Sequence, residues 1–407
     1  MSFFRRALFA LAAAALVAGV AAQQFPPHPA VPRPVVPQVP VPPPPDVDAQ
    51  SWVLMDYATG QIIASKNPDA RRAPASLTKV MTDYVVSAEI AAGHIHPTDM
   101  VTISQHAWQA GGAGTDGSTS FLKLGSQVQL EDLLKGMIIQ SGNDAAIALA
   151  EHTAGSEQAF VGLMNAYAKE LGMTNTHYSN ASGYPVDDHY STARDIAILT
   201  RALIHDFPAD YAISKIKEFD WNGIKQANRN ELLWRDPSVD GVKTGHTAEA
   251  GFCLDASAKQ GDERMIAVVM GASTNRARAD SAMALLNYGF RFYETHKLYE
   301  AGKPLATPRV WKGVDDHLPI GPSGDVLVTV KRGDYAKLKA TIDIPATLIA
   351  PFAKGQRIGT LHLSLDGQPL EDVPLVALQA EPQCGFFGRL WDSILLWFHG
   401  DKKTGAA

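Results

Sequence analysis

Three short strings of residues have the types and the spacing of an acyl-transfer site. Residues 76–79 read Ser-Leu-Thr-Lys, residues 141–143 read Ser-Gly-Asn, and residues 243–245 read Lys-Thr-Gly. The first string supplies a hydroxyl with an amine one helical turn away, and the second supplies a hydroxyl and an amide. The third supplies a cation beside a strand that can pair with a peptide. A serine hydroxyl becomes a nucleophile at neutral pH when a nearby base accepts its proton, and a lysine with a lowered pKa can be that base.

Each string is weak alone, since a chain of 407 residues contains Ser-x-x-Lys about once or twice by chance. Further copies begin at Ser120 and Ser214, and a second Lys-Thr-Gly lies at 403–405. Context favours the copy at Ser76, because a proline and an alanine lead directly into an apolar pattern at helical spacing. This places Ser76 in the first turn of a helix and Lys79 on the same side. In the other copies we expect a helix-capping serine and a solvated lysine.

The second string lies near the point where one helical pattern passes to the next. A turn opened by Gly142 directs Ser141 and Asn143 into a cleft from the helical side. Ser141 is then a candidate relay for a proton to a leaving amine, and Asn143 is a candidate partner for a substrate amide or for Lys79. The alternative is a plain turn or helix cap, which the aspartate that follows would support.

The third string lies on the β-type run 239–246, where Gly245 removes the side chain that would obstruct a ligand lying alongside. A backbone edge at this position can bind an extended peptide by strand addition, with Lys243 as an electrostatic anchor in the cleft. The copy at 403–405 is followed by two alanines and belongs to no strand pattern, so we attribute it to chance.

Composition narrows the class of protein. Of its residues, 46% are hydrophobic and 19% are charged. A chain of this length and composition has enough hydrophobic residues to form the cores of two globular domains. A formal charge of -6 gives no broad basic field, so we expect no nucleic-acid partner. No Cys/His spacing indicates a metal site, and we expect no cofactor. Whether the two cysteines, Cys253 and Cys384, form a disulfide stays open at this point.

The N-terminal residues have the pattern of an export signal. Two arginines precede an unbroken apolar, alanine-rich run from Ala7 that ends in small residues at 20–22. We therefore predict a signal peptide at 1–22, with an uncleaved membrane anchor as the alternative. Residues 23–48 are dominated by proline and valine, which favours extended polyproline II, so we interpret them as a linker.

The rest of the chain divides by pattern into two domains. Residues 49–296 open with a β-hairpin, continue with helical patterns and close with three strands and a final helix. This order predicts an α/β (α+β) fold whose sheet is built from both ends of the segment, with a helical insertion between them. Residues 297–382 alternate apolar and polar positions between Gly and Pro turns, which predicts a small all-β sandwich. The predicted helices cover 76–93, 130–150, 157–171, 192–204 and about 278–294, and the three closing strands cover 239–246, 251–258 and 264–272.

Residues 383–407 contain an amphipathic segment. Its apolar and aromatic side chains fall largely along one helical face between residues 386 and 398. At about 1.5 Å per residue this segment is too short to cross a hydrocarbon core of about 30 Å, but it suits an interface. We predict an in-plane membrane-anchoring helix, with docking on the protein's own surface as the alternative.

In combination, the three strings resemble the signature of the serine penicillin-recognising enzymes. The resemblance is closer to the exported low-molecular-mass penicillin-binding proteins that are D-alanyl-D-alanine carboxypeptidases, of the peptidase family S11 type. It implies a transpeptidase/β-lactamase-like fold, an antiparallel sheet flanked by helices, and the signal, β-rich module and amphipathic tail match that family's layout. The resemblance extends from about residue 49 to 381 and is carried by Ser-Leu-Thr-Lys at 76–79, Gln-Ser-Gly-Asn-Asp-Ala at 140–145, Ala-Asn-Arg-Asn at 227–230, Val-Asp-Gly-Val-Lys-Thr-Gly-His-Thr at 239–247 and Ala-Val-Val-Met-Gly at 267–271.

The resemblance implies a mechanism that the residues already suggest. Ser76 would attack the carbonyl between the two terminal D-alanines of a peptidoglycan stem peptide, with Lys79 as base. The resulting acyl-enzyme releases D-alanine and is then hydrolysed by water. The family's oxyanion donors map to the backbone N–H groups of Ser76 and His246, and its carboxylate site maps to Thr244 and Arg278. The arginine two residues before Arg278 is the alternative, and β-lactam antibiotics are expected covalent inhibitors.

The sequence lacks the residues that class A enzymes use to hydrolyse penicillin, and two other functions fit the same fold. Penicillin-hydrolysing relatives of the class A type carry a Glu and an Asn on a loop before the third string, whereas residues 180–185 read Asn-Ala-Ser-Gly-Tyr-Pro. We therefore expect slow turnover of bound penicillin, with at most weak β-lactamase activity. A D-alanyl endopeptidase would use the same residues, and a non-catalytic cell-wall scaffold would keep the fold alone. The expected location is the periplasmic face of the inner membrane, with peripheral attachment.

Overall fold

The computed structural model describes residues 41–112 and 114–400. The predicted signal peptide at 1–22, most of the predicted linker at 23–48 and the second Lys-Thr-Gly string at 403–405 lie outside these residues. The helices are α1 (Thr78–Ala91), α2 (Gln105–Gly111), α3 (Leu130–Lys135), α4 (Asn143–Ala154), α5 (Glu157–Glu170), α6 (Ala193–Asp206), α7 (Pro208–Tyr211), α8 (Leu232–Arg235), α9 (Asn275–Phe292) and α10 (Phe386–Gly400). The strands are β1 (Ser51–Asp56), β2 (Ile62–Lys66), β3 (Met100–Thr102), β4 (Gln127–Gln129), β5 (Glu218–Trp221), β6 (Ile224–Ala227), β7 (Val239–Thr247), β8 (Gly251–Gln260), β9 (Glu263–Ala272), β10 (Tyr293–Tyr299), β11 (Val310–Trp311), β12 (Ile320–Pro322), β13 (Val326–Lys331), β14 (Leu338–Asp343), β15 (Leu348–Ile349), β16 (Arg357–Leu365) and β17 (Gln368–Ala377).

A five-stranded antiparallel sheet with the strand order β2-β1-β9-β8-β7 lies between two layers of helices. Both ends of the segment contribute strands, as the sequence predicted. Side chains of β1 alternate between two cores: Val53 and Met55 pack on the side of α1, α4 and α6, while Trp52 and Leu54 pack on the side of α9. Because both faces of the sheet are covered, the four central residues of β1 are all apolar.

Helix α1 runs through the interior of the helical layer. Its residues 78–87 are all buried, so the helix has no solvent-facing side over that stretch. A helix covered all round is apolar around most of its circumference, and polar side chains on it are carried into the protein interior. Lys79 and Asp83, one turn apart on α1, are both completely buried in this way.

The prediction of one helix over residues 130–150 is wrong. The segment forms α3, a π-helical turn at Gly136–Gln140, and α4. Ser141 ends the π-helical turn with a left-handed φ of 69° and ψ of 31°, which no α-helix accommodates. The other predicted helices and the closing strands are confirmed to within three residues at each end. The patterns missed the short helix α2 and the strand pairs β3-β4 and β5-β6.

Between residues 293 and 377 the regular elements are strands apart from one 3-10 turn, which confirms the predicted β-rich character of this part. A four-stranded sheet has the order β12-β17-β16-β14, and two further pairs are β10-β13 and β11-β15. The hydroxyl of Thr295 on β10 donates to Oδ2 of Asp56 over 2.9 Å, and the hydroxyls of Thr59 and Thr329 lie 2.8 Å apart, so this part contacts the central sheet. The predicted boundary between residues 296 and 297 falls within β10, and the division into domains stays a prediction.

Helix α10 presents aromatic side chains to solvent. Phe387, Trp391 and Trp397 are 84%, 63% and 68% exposed. Elsewhere on the helix, Asp392 accepts a hydrogen bond from the backbone N–H of Lys312, next to β11. The helix therefore touches its own protein without covering its aromatic residues. None of the described helices combines the length and the apolar composition that crossing a bilayer requires.

Both cysteines are free thiols. Cys253 lies buried in β8, and Cys384 lies just before α10 in a different part of the fold. The disulfide that the sequence left open is therefore absent from the described structure. Burial raises the pKa of the Cys253 thiol, so this side chain is a neutral, packed group at neutral pH.

Asp83 is expected to make stability depend on pH. Neither of its carboxyl oxygens has a hydrogen-bond partner, and burial together with the nearby Asp210 raises the pKa of Asp83 from 3.8 to about 8. Between those values the folded state keeps a proton that the unfolded state releases, so the free energy of unfolding falls as the pH rises. We expect Asp83→Asn to recover about 2 to 4 kcal/mol of the stability lost between about pH 5 and pH 8.

Urea unfolding of both proteins at the two pH values measures this difference. Asp262→Asn changes an exposed aspartate in the turn between β8 and β9 and is the matched control. It should leave the pH dependence of the wild type in place. The same loss of stability in wild type and Asp83→Asn would show that Asp83 does not carry the effect.

Candidate active site

A single 3-10 turn at Ala75–Leu77 places Ser76 at the head of α1. Lys79 lies one turn further on, and its Nζ donates to Oγ of Ser76 over 3.0 Å. The same Nζ donates to Oδ1 of Asn143 over 2.7 Å and to the backbone carbonyl of Ser182 over 2.6 Å. Three oxygen acceptors therefore fix the amine beside the candidate nucleophile.

The surroundings of Lys79 favour its neutral form. The side chain is completely buried, and this desolvation, together with the positive charge of Arg229, lowers the pKa of Lys79 from 10.5 to about 7. The charge of Asp144 acts in the opposite direction. The unprotonated amine, which is the form able to accept the proton of Ser76, is therefore accessible near neutral pH.

A strained turn carries the second string. Ser141 has its left-handed backbone at the end of the π-helical turn and is 2% exposed, and Asn143 begins α4 two residues later. Left-handed conformations of non-glycine residues cost about 1 to 3 kcal/mol and persist where tertiary packing holds them. The turn brings Asn143 onto Lys79, so the first and second strings meet at the lysine amine.

Asp144 fastens the segment that lies over this turn. Its Oδ1 accepts the backbone N–H of Ser120 over 2.8 Å, and its Oδ2 accepts the hydroxyl of Thr119 over 2.8 Å and the N–H of Leu122 over 3.1 Å. The backbone N–H of Asn143 donates to the carbonyl of residue 118 over 2.8 Å. The sequence indicates that Asp144 supports the turn, and its contacts fit that role.

Gly245 of the third string packs against the turn that carries Ser76 of the first string. Strand β7 is an edge strand of the central sheet, and it packs against the turn that holds Ser76. A methyl group on Gly245 would lie 3.1 Å from the carbonyl oxygen of Pro74 and 3.2 Å from the backbone nitrogen of Ser76, closer than side chains normally pack. The sequence predicted that Gly245 makes room for a ligand, and the structure shows that the turn carrying Ser76 also packs against this glycine.

Lys243 is one of several basic side chains that line the cleft. It is buried, and desolvation with the charges of Lys79, Arg229 and Arg278 lowers the pKa of Lys243 well below 10.5. Its Nζ donates to the backbone carbonyl of Thr244 over 3.2 Å. An anionic part of a substrate would offset the repulsion among these buried basic groups, so the cleft is suited to bind one.

Arg278, at the start of α9, points back toward β7. Its Nη1 donates to the carbonyl oxygens of Gly245 over 2.8 Å and Cys253 over 3.1 Å, and burial lowers the pKa of Arg278 to about 10. The alternative arginine, Arg276, is 89% exposed and lies 3.5 Å from Asp280 at the surface. The structure therefore favours Arg278 as the arginine that reaches the third string.

His246 lies at the mouth of the cleft. Its side chain is exposed, and its ring stacks on Phe252 of β8 with 4.0 Å between the ring centroids. The guanidinium of Arg278 lies 5.7 Å from the same Phe252 ring. Phe252 thus fixes the positions of two candidate site residues that come from different elements.

Residues 177–191 form a loop that supplies the third acceptor for Lys79. Backbone hydrogen bonds between its first residue and its last but one close this 177–191 loop. The side chain of Asn180 shapes the tip, because its Oδ1 accepts three backbone N–H groups. These belong to Ser182 at 3.2 Å, Gly183 at 2.7 Å and Tyr184 at 3.1 Å. The Ser182 carbonyl is consequently held in one orientation.

The two other copies of Ser-x-x-Lys have no such surroundings. Ser120 and Ser214 are buried, and the hydroxyl of each has no hydrogen-bond partner in the described structure. They do not cap helices, so the predicted capping role is wrong for both. Lys123 and Lys217 lie at the surface, as expected for solvated lysines.

Sequence reasoning missed two contributors to the site. Ser182 acts through its backbone carbonyl, which any residue type could supply, so no sequence signal could have found it. Arg229 is part of the Ala-Asn-Arg-Asn string, which carries the family resemblance without a predicted chemical role. The available signal is that Arg229 adds a basic residue to the set of strings that contains Lys79 and Lys243. A nearby positive charge lowers the pKa of a lysine.

Comparisons with known proteins give the relatives of the chain. The profile of the D-alanyl-D-alanine carboxypeptidase family matches residues 38–274, and that of the penicillin-binding protein 5 C-terminal domain matches residues 293–383. The D-alanyl-D-alanine carboxypeptidases DacC and DacA of Escherichia coli (strain K12) are 49% and 47% identical over 358 residues, covering 87% of this chain and 90% and 89% of theirs. The crystal structure of penicillin binding protein 5 from Haemophilus influenzae has a TM-score of 0.81 at 43% identity, covering 84% of this chain and 99% of that one.

The charge of Arg229 gives a test of the electrostatics at Lys79. Because Arg229 lowers the pKa of Lys79, Arg229→Gln should raise that pKa from about 7 toward 10.5. NMR titration of protein labelled with ¹³C-lysine measures it. Arg276→Gln, which removes an exposed arginine, is the matched control and should leave the pKa in place. An unchanged or lower pKa of Lys79 in Arg229→Gln would contradict the assignment.

Proposed function

The chain belongs to the D-alanyl-D-alanine carboxypeptidase family of serine peptidases, and we propose that it removes the terminal D-alanine from peptidoglycan stem peptides through an acyl-enzyme on Ser76. The observation that carries the proposal is the pair of Ser76 and Lys79. The serine hydroxyl lies 3.0 Å from a buried amine whose pKa is lowered to about 7. Such an amine can accept the serine proton at neutral pH.

In the proposed first step, the neutral amine of Lys79 accepts the proton of Ser76 as Oγ attacks the carbonyl carbon of the penultimate D-alanine. The tetrahedral intermediate collapses when its C–N bond breaks. The proton that Lys79 accepted passes through Ser141 to the leaving nitrogen, and free D-alanine departs. Water then attacks the ester on Ser76 and regenerates the hydroxyl. Proton transfer by positioned groups contributes about 10²- to 10⁴-fold to such reactions.

We propose the backbone N–H groups of Ser76 and His246 as donors to the oxyanion. The close packing of Gly245 on the nucleophile turn supports this, since it brings β7 beside Ser76. Each such donor is worth about 10²- to 10³-fold in rate. The open edge of β7 would pair with the extended stem peptide by strand addition.

The free carboxylate of the substrate is proposed to bind the hydroxyl of Thr244 within the field of Lys243 and Arg278. Support comes from the burial of both basic side chains and from the contact of Arg278 with Gly245. Recognition of a terminal carboxylate favours removal of a chain-end residue over cleavage within a cross-link. Asn143 already binds Lys79, which supports a role in holding the base.

The same serine would react with β-lactam antibiotics and release them slowly. The tip of the 177–191 loop carries no glutamate, and the carboxamide oxygen of Asn180 is taken up by three backbone N–H groups. No side chain of this tip is therefore free to activate water in the manner of the class A enzymes. We propose long-lived acyl-enzymes in place of efficient β-lactamase activity.

The wild-type protein should release free D-alanine from purified pentapeptide muropeptides, as measured with D-amino-acid oxidase. Ser76→Ala removes the nucleophile and should lower the rate by about 10³-fold or more. Ser214→Ala, from another Ser-x-x-Lys copy, is the matched control and should keep the wild-type rate. Cleaved cross-links without free D-alanine would favour an endopeptidase. A wild type that neither releases D-alanine nor binds penicillin would favour a non-catalytic scaffold.

We propose further that the protein is exported to the periplasmic face of the inner membrane and attached there through α10. The predicted signal at 1–22 supports export. The exposed apolar side chains of α10 recur at spacings of three and four residues, which aligns them for insertion into a lipid interface. They are Phe386, Phe387, Leu390, Trp391, Ile394 and Trp397.

Ending the chain after Gly385 should free the protein from lipid vesicles and leave D-alanine release from soluble peptides unchanged. This end point keeps the backbone bridge between Gly313 and Gln383. In the full chain, Trp391→Glu should weaken vesicle co-sedimentation, because a carboxylate would enter the interface. Trp234→Glu, at an exposed tryptophan elsewhere, is the matched control. Undiminished sedimentation of the shortened chain would place the attachment outside α10.

A further inference from the structure

His189 is buried at the base of the 177–191 loop and has no role in the steps above. It is 4% exposed, and both of its ring nitrogens have partners. The backbone N–H of Ser179 lies 3.0 Å from Nδ1, and Oγ1 of Thr78 lies 2.7 Å from Nε2. Because an N–H donates to Nδ1, the ring proton is on Nε2 and is donated to Thr78. The ring therefore joins the loop to the first residue of α1.

The two joined segments carry the groups that hold Lys79. Thr78 lies between the nucleophile and the base in sequence, and Ser179 begins the tip that presents the Ser182 carbonyl to Lys79 over 2.6 Å. A second bond across the same boundary runs from the hydroxyl of Thr82 to the carbonyl of residue 181 over 2.7 Å. The orientation of the lysine amine thus depends on how the loop seats on α1.

Packing at this boundary leaves little room for displacement. Gly183 has φ of 82°, and a side chain there would collide with the carbonyl oxygen of Ala75 and lie 2.8 Å from Oγ1 of Thr78. The tip is therefore pressed directly on the turn that holds the nucleophile. Release of the loop would move the Ser182 carbonyl away from Lys79, since the tip is one rigid turn shaped by Asn180.

The ring stays neutral under the conditions of the reaction. Burial lowers the pKa of His189 to about 4, and the charges of His177 and Lys79, which face it, act in the same direction. Tyr178 packs edge-on against the ring, with 5.7 Å between centroids. A neutral ring keeps one acceptor for Ser179 and one donor for Thr78, whereas protonation at Nδ1 would remove the acceptor.

We propose that His189 is a positioning residue for acylation, which fixes the Ser182 carbonyl and through it the amine of Lys79 relative to Ser76. It acts through its two hydrogen bonds and touches neither the substrate nor the reacting atoms. The proposal rests on the proposed function of Ser76 and Lys79 and adds a residue that supports their geometry.

His189→Phe keeps an aromatic ring but removes both hydrogen bonds. We expect its rate of acylation by benzylpenicillin to fall by about tenfold or more, because misplacing a catalytic group by about 1 Å can cost about 10²-fold. His189→Gln offers an amide oxygen to Ser179 and an N–H to Thr78 at a similar separation, so it should keep a rate close to the wild type. Thr78→Val removes the same bond from the other side and should be slowed as well.

Two further measurements separate positioning from general destabilisation. Val326→Ala trims a buried side chain of β13, far along the chain, and its acylation rate at a matched melting temperature is the reference. The pKa of Lys79, measured by NMR, should shift in His189→Phe and stay near 7 in His189→Gln.

The proposal fails if His189→Phe is acylated as fast as Val326→Ala, or if His189→Gln is as slow as His189→Phe. A wild type that benzylpenicillin does not acylate would overturn the proposed function itself. In that case the pKa of Lys79 still decides the positioning role, and equal values in both His189 variants would overturn it.

Discussion

Burial of the Lys79 amine is the constraint on which the site depends. A lysine removed from water holds its proton less tightly, which makes it a base at neutral pH but leaves a polar group inside the protein. Three oxygens satisfy that amine, and they come from the turn before α1, the start of α4 and the 177–191 loop. All three elements must therefore be packed together before the base is in place.

Charge adds a second constraint. Arg229 lies close enough to lower the pKa values of both Lys79 and Lys243, so the cleft concentrates basic groups whose mutual repulsion opposes folding. A bound carboxylate would relieve the same repulsion, as the proposed function requires. Strand β7 can approach Ser76 so closely because Gly245 has no side chain. The repulsion among these groups lowers the stability of the fold at the place where the proposed function requires them, as in many enzyme sites.

The sequence revealed what depends on residue type and concealed what depends on backbone and packing. Ser76, Lys79 and Lys243 could be proposed from the sequence because the proposed chemistry requires these side chains at fixed spacing, and the sheet could be predicted because its strands are short apolar runs. The role of the Ser182 carbonyl could not be predicted, since every residue has a backbone carbonyl. The left-handed turn at Ser141 could not be predicted either, because tertiary packing stabilises a backbone conformation that serine disfavours locally.

Mass spectrometry of the protein after reaction with benzylpenicillin tests the central claim most directly. A nucleophile activated by a buried lysine predicts one adduct with the mass of the intact antibiotic, located by peptide mapping on Ser76. Acid quenching at successive times would show the adduct persisting, as expected where no side chain at the loop tip activates water. An adduct on another serine, or no adduct in the folded protein, would contradict the assignment of Ser76 and Lys79 as nucleophile and base.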